Sequence, residues 1–339
     1  MKALVYYGPK DLRLSEIEDK KPGRNEVLIK IRACGICGSD IHGYLGITGR
    51  RIPPMVMGHE FAGEIVETGE DVVNFKIGDR VTAQPINFCG NCKYCMNGLT
   101  NMCTNMKFFG VLDTNGAMAE YLCVPEKLLY KLPENVTYIE AAMVEPFAVA
   151  YNAAKKISDI EDKAVLIVGS GTIGLLILNI IKNKKPSKII VTDLSDFRLS
   201  IAKKMGADII INPSKEDVIK IIKQATANEG VDVAFEAVGA TPSVQQAMSA
   251  LKIGGTCVWV GNSAKYIDIN MQEIVTRELK VFGTFDYTHK SFGEALEMIA
   301  EGNIDLQSLI SKVIKLEEGP EMMEKMSNLS QDMLKVIIS

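Results

Sequence analysis

The sequence predicts an α/β protein in two parts: a barrel-like or sandwich-like β domain of short strands, then a doubly wound parallel sheet. Three observations predict it. Up to about residue 145, short apolar runs are separated by Gly and Pro. Beyond Pro146, short apolar runs alternate with helix-length stretches. A glycine-rich turn joins the first of those runs to the first of those helices. The length, 339 residues, suits about two domains.

In the first part, 26–32 alternates apolar and polar residues, 61–67 and 78–83 are bounded by glycine, and 117–124 is a further run. Each is expected to be a strand. In the second part strands are expected at 164–168, 188–193, 208–211, 231–236, 256–260 and 280–283, with helices at 172–183, 196–205, 215–227 and 242–252. From about His289 the pattern is mixed, and this stretch is expected to return to the first part. No repeat of fixed period appears. The run 164–181 carries no charge and reaches the lower length of a membrane span. Gly169, Ser170, Gly171, Thr172, Gly174 and Asn179 within it fit a buried strand, a tight turn and a buried helix instead. No membrane contact is expected, and no secretory signal, because Lys10, Asp11 and Arg13 follow the start with no apolar stretch between.

Hydrophobic residues make up 47% and charged residues 24% of the chain, as in ordinary globular proteins. A net charge of −4 argues against a nucleic-acid partner, which is usually met by a basic excess. Four of the 8 cysteines cluster, which reads as metal binding in a reducing compartment, hence the cytoplasm.

Gly169-Ser-Gly171-Thr-Ile-Gly174 follows the strand expected at 164–168 and opens a helix. The first glycine allows the turn, the second lets a pyrophosphate approach, and the third lets helix pack on strand. The helix start offers unpaired N–H groups to the anion. Asp193 ends the next strand, near the offset of about 20 at which an acid binds the adenosine ribose. A carboxylate there favours NAD over NADP, and Arg198 nearby weakens that preference.

Cys89, Cys92, Cys95 and Cys103 are spaced C-x2-C-x2-C-x7-C. Four thiolates suit a closed, structural zinc with no open position for substrate. A ferredoxin-type cluster would have a gap of three before its fourth cysteine and proline after it; here the gap is seven and Thr104 follows. No basic recognition helix follows Cys103. A second candidate is quieter. Of 3 histidines, His42 and His59 lie near Cys37, and Cys37, His59 and a carboxylate could supply the three ligands of a catalytic zinc.

Gly35-Ile-Cys37-Gly-Ser39-Asp-Ile-His42, Gly58-His59-Glu60, Gly78-Asp79-Arg80-Val81, the four-cysteine lobe and the glycine-rich turn occur together in one order. In that order and spacing the chain resembles the zinc-dependent medium-chain dehydrogenases along its whole length. The resemblance implies a GroES-like β-barrel catalytic domain at 1–148 and 288–339, with a structural zinc lobe at 87–105. It implies a Rossmann NAD-binding domain at 149–287. Glu145-Pro146 stands where ordinary alcohol dehydrogenases of the family carry a third cysteine ligand, and it looks like the polyol branch. The implied ligands of the catalytic zinc are Cys37, His59, Glu60 and Glu145, one carboxylate acting through water. The implied cofactor contacts are Gly169, Gly171, Ile173, Gly174, Asp193, Arg198, Val260, Gly261 and Phe285. A homo-oligomer, favourably a tetramer, is implied as well.

The expected reaction is hydride transfer from a polyol or secondary alcohol, free or phosphorylated, to NAD, giving the ketone. Threonine 3-dehydrogenase and butanediol dehydrogenase activities are alternatives, as is a non-catalytic binder of NAD and zinc. Ser39 is expected to accept the hydroxyl proton and pass it through the cofactor ribose to His42. Glu60, if it does not bind zinc directly, would tune the metal and exchange with water. Gly43 stands where sorbitol dehydrogenases place a tyrosine, here shifted to Tyr44, and Asp286 stands where they place Arg. Both argue against sorbitol itself. A phosphorylated substrate would need cations at the pocket mouth, for which Arg50, Arg51, His289 and Lys290 are candidates.

Overall fold

The strand Glu26–Ile36 is apolar on its inward face, with Val27, Ile29 and Cys34 fully buried, and neighbouring strands assemble on both of its sides. The computed structural model describes residues 1–328 and 332–339. The chain divides into two compact units: Met1–Glu145 with Tyr287–Ser339, and Pro146–Asp286.

In the first unit, Glu26–Ile36 pairs antiparallel with Glu60–Thr68, Tyr121–Pro125 and the C-terminal strand Lys335–Ile338. Glu60–Thr68 continues the sheet into Arg80–Ala83, which pairs with Leu129–Lys131. On the other side Lys335–Ile338 runs parallel to Ile310–Ile314. A separate three-stranded sheet comprises Asp11–Glu16, Lys2–Gly8 and Met55–Val56. One apolar core joins both sheets, with Leu4, Val5, Ile29, Met57, Phe61 and Val336 among its members. Register has a chemical consequence. Gly35 pairs with Glu60 and Ile36 with Val336, so the starts of two distant strands meet at the end of Glu26–Ile36. The helix Gly38–Tyr44 begins at that same end.

The second unit is a six-stranded parallel sheet. Its spatial order is Ile209–Ile211, Lys188–Thr192, Ala164–Val168, Val231–Glu236, Leu251–Trp259, Lys280–Gly283. That order is 3-2-1-4-5-6, the doubly wound dinucleotide-binding topology. Its inner strands read as continuous apolar runs because helices cover both faces of such sheets. The uncharged run 164–181 is strand Ala164–Val168, a turn, and most of helix Thr172–Lys182. No described helix is long and apolar enough to cross a membrane.

Several local expectations shift. The strand expected at 117–124 starts at Tyr121. Before it, the N–H groups of Ala117 and Met118 donate to the carbonyls of Gly58 and Met57, outside the sheet ladder. The helix expected at 215–227 is Val218–Ala225, because the Asp217 side chain accepts from the Lys220 N–H and caps it. A helix absent from the sequence reading, Met271–Thr276, is capped by Asn270. Outside the metal-candidate cysteines, Cys34 and Cys257 are buried and Cys123 is half-buried.

Candidate functional site

Cys37 ends one strand and caps the next helix. Its Sγ lies 3.4 Å from the Ser39 N–H, and its own N–H donates to Asp40 Oδ2 at 3.1 Å. These reciprocal bonds fix the thiol at the helix start. His59 and Glu60 arrive from the facing strand. Ligand atoms of Cys37, His59 and Glu60 all lie within 4.8 Å of one another. His59 and Glu60 are buried and Cys37 is half-buried.

Each of these groups is backed by a partner. Asp40 Oδ1 stands 3.5 Å from His59 Nδ1, at the edge of hydrogen-bond reach. A carboxylate behind a histidine fixes the ring, as it does in metal centres. Burial opposes the charge on Asp40, yet His59 and Arg51 hold its carboxyl well below the usual range. Burial likewise opposes protonation of His59, but Asp40 and Cys37 push its imidazole well above its usual value. The Phe108 ring meets His59 edge-on at 5.8 Å.

Glu60 is paired with Lys335, whose Nζ lies 2.8 and 2.7 Å from the two carboxylate oxygens and 3.1 Å from the Ile36 carbonyl. Both side chains are essentially fully buried. Burial alone would lower the Lys335 pKa; Glu60 and Cys37 raise it. Gly35 makes the room, since a Cβ there would lie 2.1 Å from Glu60 Oε2. Glu145 is buried in the first turn of helix Val144–Ala154, and the Tyr287 hydroxyl donates to it at 2.8 Å. It stands outside the group of converging ligand atoms. Ser39 is exposed and His42 half-buried, three residues apart on helix Gly38–Tyr44 and so on one face of it. Burial lowers the His42 pKa.

The donors suit zinc. A thiolate and an imidazole are ligands that zinc prefers, and the buried carboxylate beside them already has a counter-cation. The second cluster suits it too. Cys89, Cys92, Cys95 and Cys103 are unpaired thiols whose sulfurs lie within 4.8 Å of one another. Cys92 Sγ is 3.5 Å from Cys95 Sγ, and Cys103 Sγ accepts the Cys89 N–H at 3.3 Å. Backbone N–H groups of Cys95 and Thr104 bring the Cys92 thiol down to about 6, while burial pushes Cys95 up to about 12. Four sulfurs in such a shell leave no open position.

In the second unit the glycine-rich turn has the geometry its residue types require. Gly169 takes φ +93°, and a Cβ on Gly174 would lie 1.8 Å from the Gly169 carbonyl. No side chain caps the helix at Gly171, so its first N–H groups are open to an anion. Asp193 is held by two N–H donors: Ser170 to Oδ2 at 2.7 Å and Ser195 to Oδ1 at 2.8 Å. The Arg198 N–H donates to Ser195 Oγ, so Arg198 opens the helix behind that acid. Ile173 is half-buried in the first turn of the glycine helix. Val260 and Gly261 donate to the Glu236 carbonyl, at the ends of adjacent parallel strands. Phe285 is exposed and follows the last strand of the sheet.

Two of the suggested pocket-mouth cations are turned inward. Arg51 is 6% exposed and bonded to Asp40 at 2.7 Å. His289 Nδ1 lies 2.8 Å from the Tyr130 hydroxyl and 3.2 Å from Gln84 Oε1. Only Arg50 and Lys290 of that set face solvent. Four residues that shape the site had no role in the sequence reading: Asp40, Arg51 as an internal cation, Tyr287 and Lys335. One signal was available: Lys335 opens the apolar strand Lys-Val-Ile-Ile, and a lysine buried there needs an anion.

Family models describe two segments: residues 23–134 match the alcohol dehydrogenase GroES-like domain, and residues 172–301 match the zinc-binding dehydrogenase domain. The chain is 35% identical to a sorbitol dehydrogenase of Bacillus subtilis, over 100% of this chain and 97% of that one. It is 36% identical to a D-arabitol-phosphate dehydrogenase of Enterococcus avium, over 93% and 89%. It superposes with a TM-score of 0.91 on a zinc-binding dehydrogenase from Sinorhizobium meliloti bound to NADP. The two are 30% identical, and the match covers 99% of this chain and 98% of that one.

Proposed function

The chain belongs to the zinc-dependent medium-chain dehydrogenases, in their polyol dehydrogenase-like branch, and we propose that it oxidises a polyol or secondary alcohol to the ketone with NAD as hydride acceptor. The observation that carries this is the convergence of Cys37, His59 and Glu60, the first two backed by Asp40 and the third by Lys335.

Cys37 and His59 are the direct zinc ligands in this reading. Glu145, buried and accepting from the Tyr287 hydroxyl, is the third. Glu60, with both oxygens on Lys335, stands close by and acts through water. Cys89, Cys92, Cys95 and Cys103 hold a second, structural zinc. When bound, the catalytic zinc supplies a Lewis acid that polarises the substrate hydroxyl, and NAD supplies the acceptor ring. The chain itself does the rest. Ser39 accepts the hydroxyl proton, and His42 releases it to solvent; burial keeps that imidazole neutral and able to accept. Gly169, Gly171 and Gly174 receive the pyrophosphate, with Ile173, Arg198, Val260, Gly261 and Phe285 around the cofactor. The fixed carboxylate of Asp193 favours the ribose hydroxyls over a 2′-phosphate.

Inward-turned Arg51 and His289 favour an unphosphorylated substrate. Two further assignments complete the reading. Strand Lys280–Gly283 ends the sheet of the second unit and exposes Phe282, which supports a homo-oligomer, favourably a tetramer. Eight unpaired cysteines support the cytoplasm. The test is a panel of polyols, polyol phosphates, diols and 3-hydroxy amino acids, each with NAD and NADP. The expected result is NADH formation with an unphosphorylated polyol or diol. No turnover of any alcohol by zinc-replete protein sinks the proposal.

A further inference from the structure

Arg51 is an enclosed cation near the proposed metal centre that no step so far uses. Its side chain is 2% exposed. Nη2 has two hydrogens and two acceptors: Asp40 Oδ1 at 2.7 Å and Ser39 Oγ at 3.3 Å. Nη1 donates to the Arg50 carbonyl at 3.2 Å, which holds the guanidinium in place from its own backbone. One nitrogen therefore joins the carboxylate behind His59 to the hydroxyl proposed to accept the substrate proton.

We infer that Arg51 is a positioning residue that couples metal retention to proton removal, a reading that rests on the function proposed above. Two consequences follow from its bonds. The first concerns Asp40, which is fully buried and contacts His59, the Cys37 N–H and Arg51. Arg51 Nη2 pins Asp40 Oδ1 at 2.7 Å, so both metal-facing residues that Asp40 contacts stay oriented. The second concerns Ser39. A hydroxyl has one hydrogen and two lone pairs. Arg51 fills one lone pair, which leaves one to accept and one hydrogen to donate. That is the bonding of a relay with one way in and one way out.

The backbone makes room for this arginine. Gly43 lies inside helix Gly38–Tyr44, where glycine is less stabilising than alanine. A Cβ there would lie 2.5 Å from Arg51 Cγ. The helix forgoes that stability where the arginine stem passes.

The test compares Arg51→Gln and Arg51→Lys with wild type, with Gly43→Ala as a variant that displaces the stem but keeps the charge. Three quantities are read on each: zinc left after dialysis against a chelator, kcat and KM with the active alcohol, and the solvent deuterium isotope effect on kcat. Lysine keeps the charge and has N–H donors enough, but it lacks the fork whose second nitrogen anchors the group on the Arg50 carbonyl, so its ammonium is not held between Asp40 and Ser39. Arg51→Gln is expected to lose zinc from the Cys37 centre at about 10- to 100-fold lower chelator concentration, with the four-cysteine zinc retained. Arg51→Lys is expected to keep its zinc and lose about 10-fold in kcat with little change in KM and a larger isotope effect. Gly43→Ala should follow Arg51→Lys. If Arg51→Gln fails to fold, Arg51→Lys decides. Wild-type zinc retention, kcat and isotope effect in Arg51→Lys overturn the inference, as do losses that only track the fraction of unfolded protein. An inactive wild type overturns the proposed function instead, and is separable from either result because zinc retention is read independently.

Discussion

Lys335 and Glu60 form a buried pair 275 residues apart in sequence. Removing one partner of such a pair leaves an uncompensated buried charge, which costs about 3–5 kcal/mol. Lys335→Met is therefore expected to lower stability by that amount in urea unfolding at pH 7, and Glu60→Gln with Lys335→Met together should recover part of it. At Asp193, removal of the carboxylate with Asp193→Ala is expected to raise kcat/KM with NADP relative to NAD by at least about 10-fold, because the repulsion of a 2′-phosphate goes with it. An unchanged ratio would assign the preference elsewhere. His42 is the proposed carrier of the pH dependence. Its folded-state pKa lies below the usual value of about 6.5, because burial disfavours the charged ring. A depressed pKa means the imidazole stays neutral down to lower pH, so the acid limb of kcat is expected below pH 6.5. The stability this group contributes is present above the unfolded value and is lost as pH falls through the folded one. His42→Ala should abolish that limb and lose most rate near neutral pH; an unchanged limb assigns it to another group.

At the scale of elements, legibility followed sequence distance. The strand, turn and helix around Gly169 are local, so three glycines and a following acid were enough to place them. The helix cap at Cys37 is also local, but its logic needed Asp40, which the motif held without declaring a role. Arg51 read as a solvent cation because its neighbours Arg50 and Gly49 suggest a polar loop; only the fold brings Asp40 beneath it. Lys335 was invisible as a partner of Glu60, since their meeting depends on two strands flanking Glu26–Ile36 in a definite register. The start of strand Tyr121–Pro125 was missed because residues before it bond across to Gly58 and Met57 rather than along the ladder. The cysteine lobe carries a prediction at this scale. Its helix Lys93–Met96 has no buried residue, so little but a metal can hold its shape. Cys95→Ser is expected to lose one zinc and melt several degrees lower, while the surviving folded fraction turns over at near the wild-type rate. Full stability with lost turnover would mean this lobe takes part in the chemistry.

At the scale of the molecule, the C-terminal segment matters most. It completes the first unit's sheet, supplies Lys335 to Glu60 and Tyr287 to Glu145, and leaves the second unit with its six parallel strands. The two candidate metal clusters are thereby suited to different work: one has four sulfurs and no room for a substrate, the other has mixed donors backed by Asp40 and Lys335. The most direct measurement is zinc per chain together with alcohol-dependent NADH formation in wild type, Cys37→Ser and Cys95→Ser. The account predicts two zinc ions and turnover in wild type. It predicts one zinc, normal melting and no turnover in Cys37→Ser, and one zinc, lowered melting and retained turnover in Cys95→Ser. A Cys37→Ser protein that keeps both zinc ions and its turnover would contradict it.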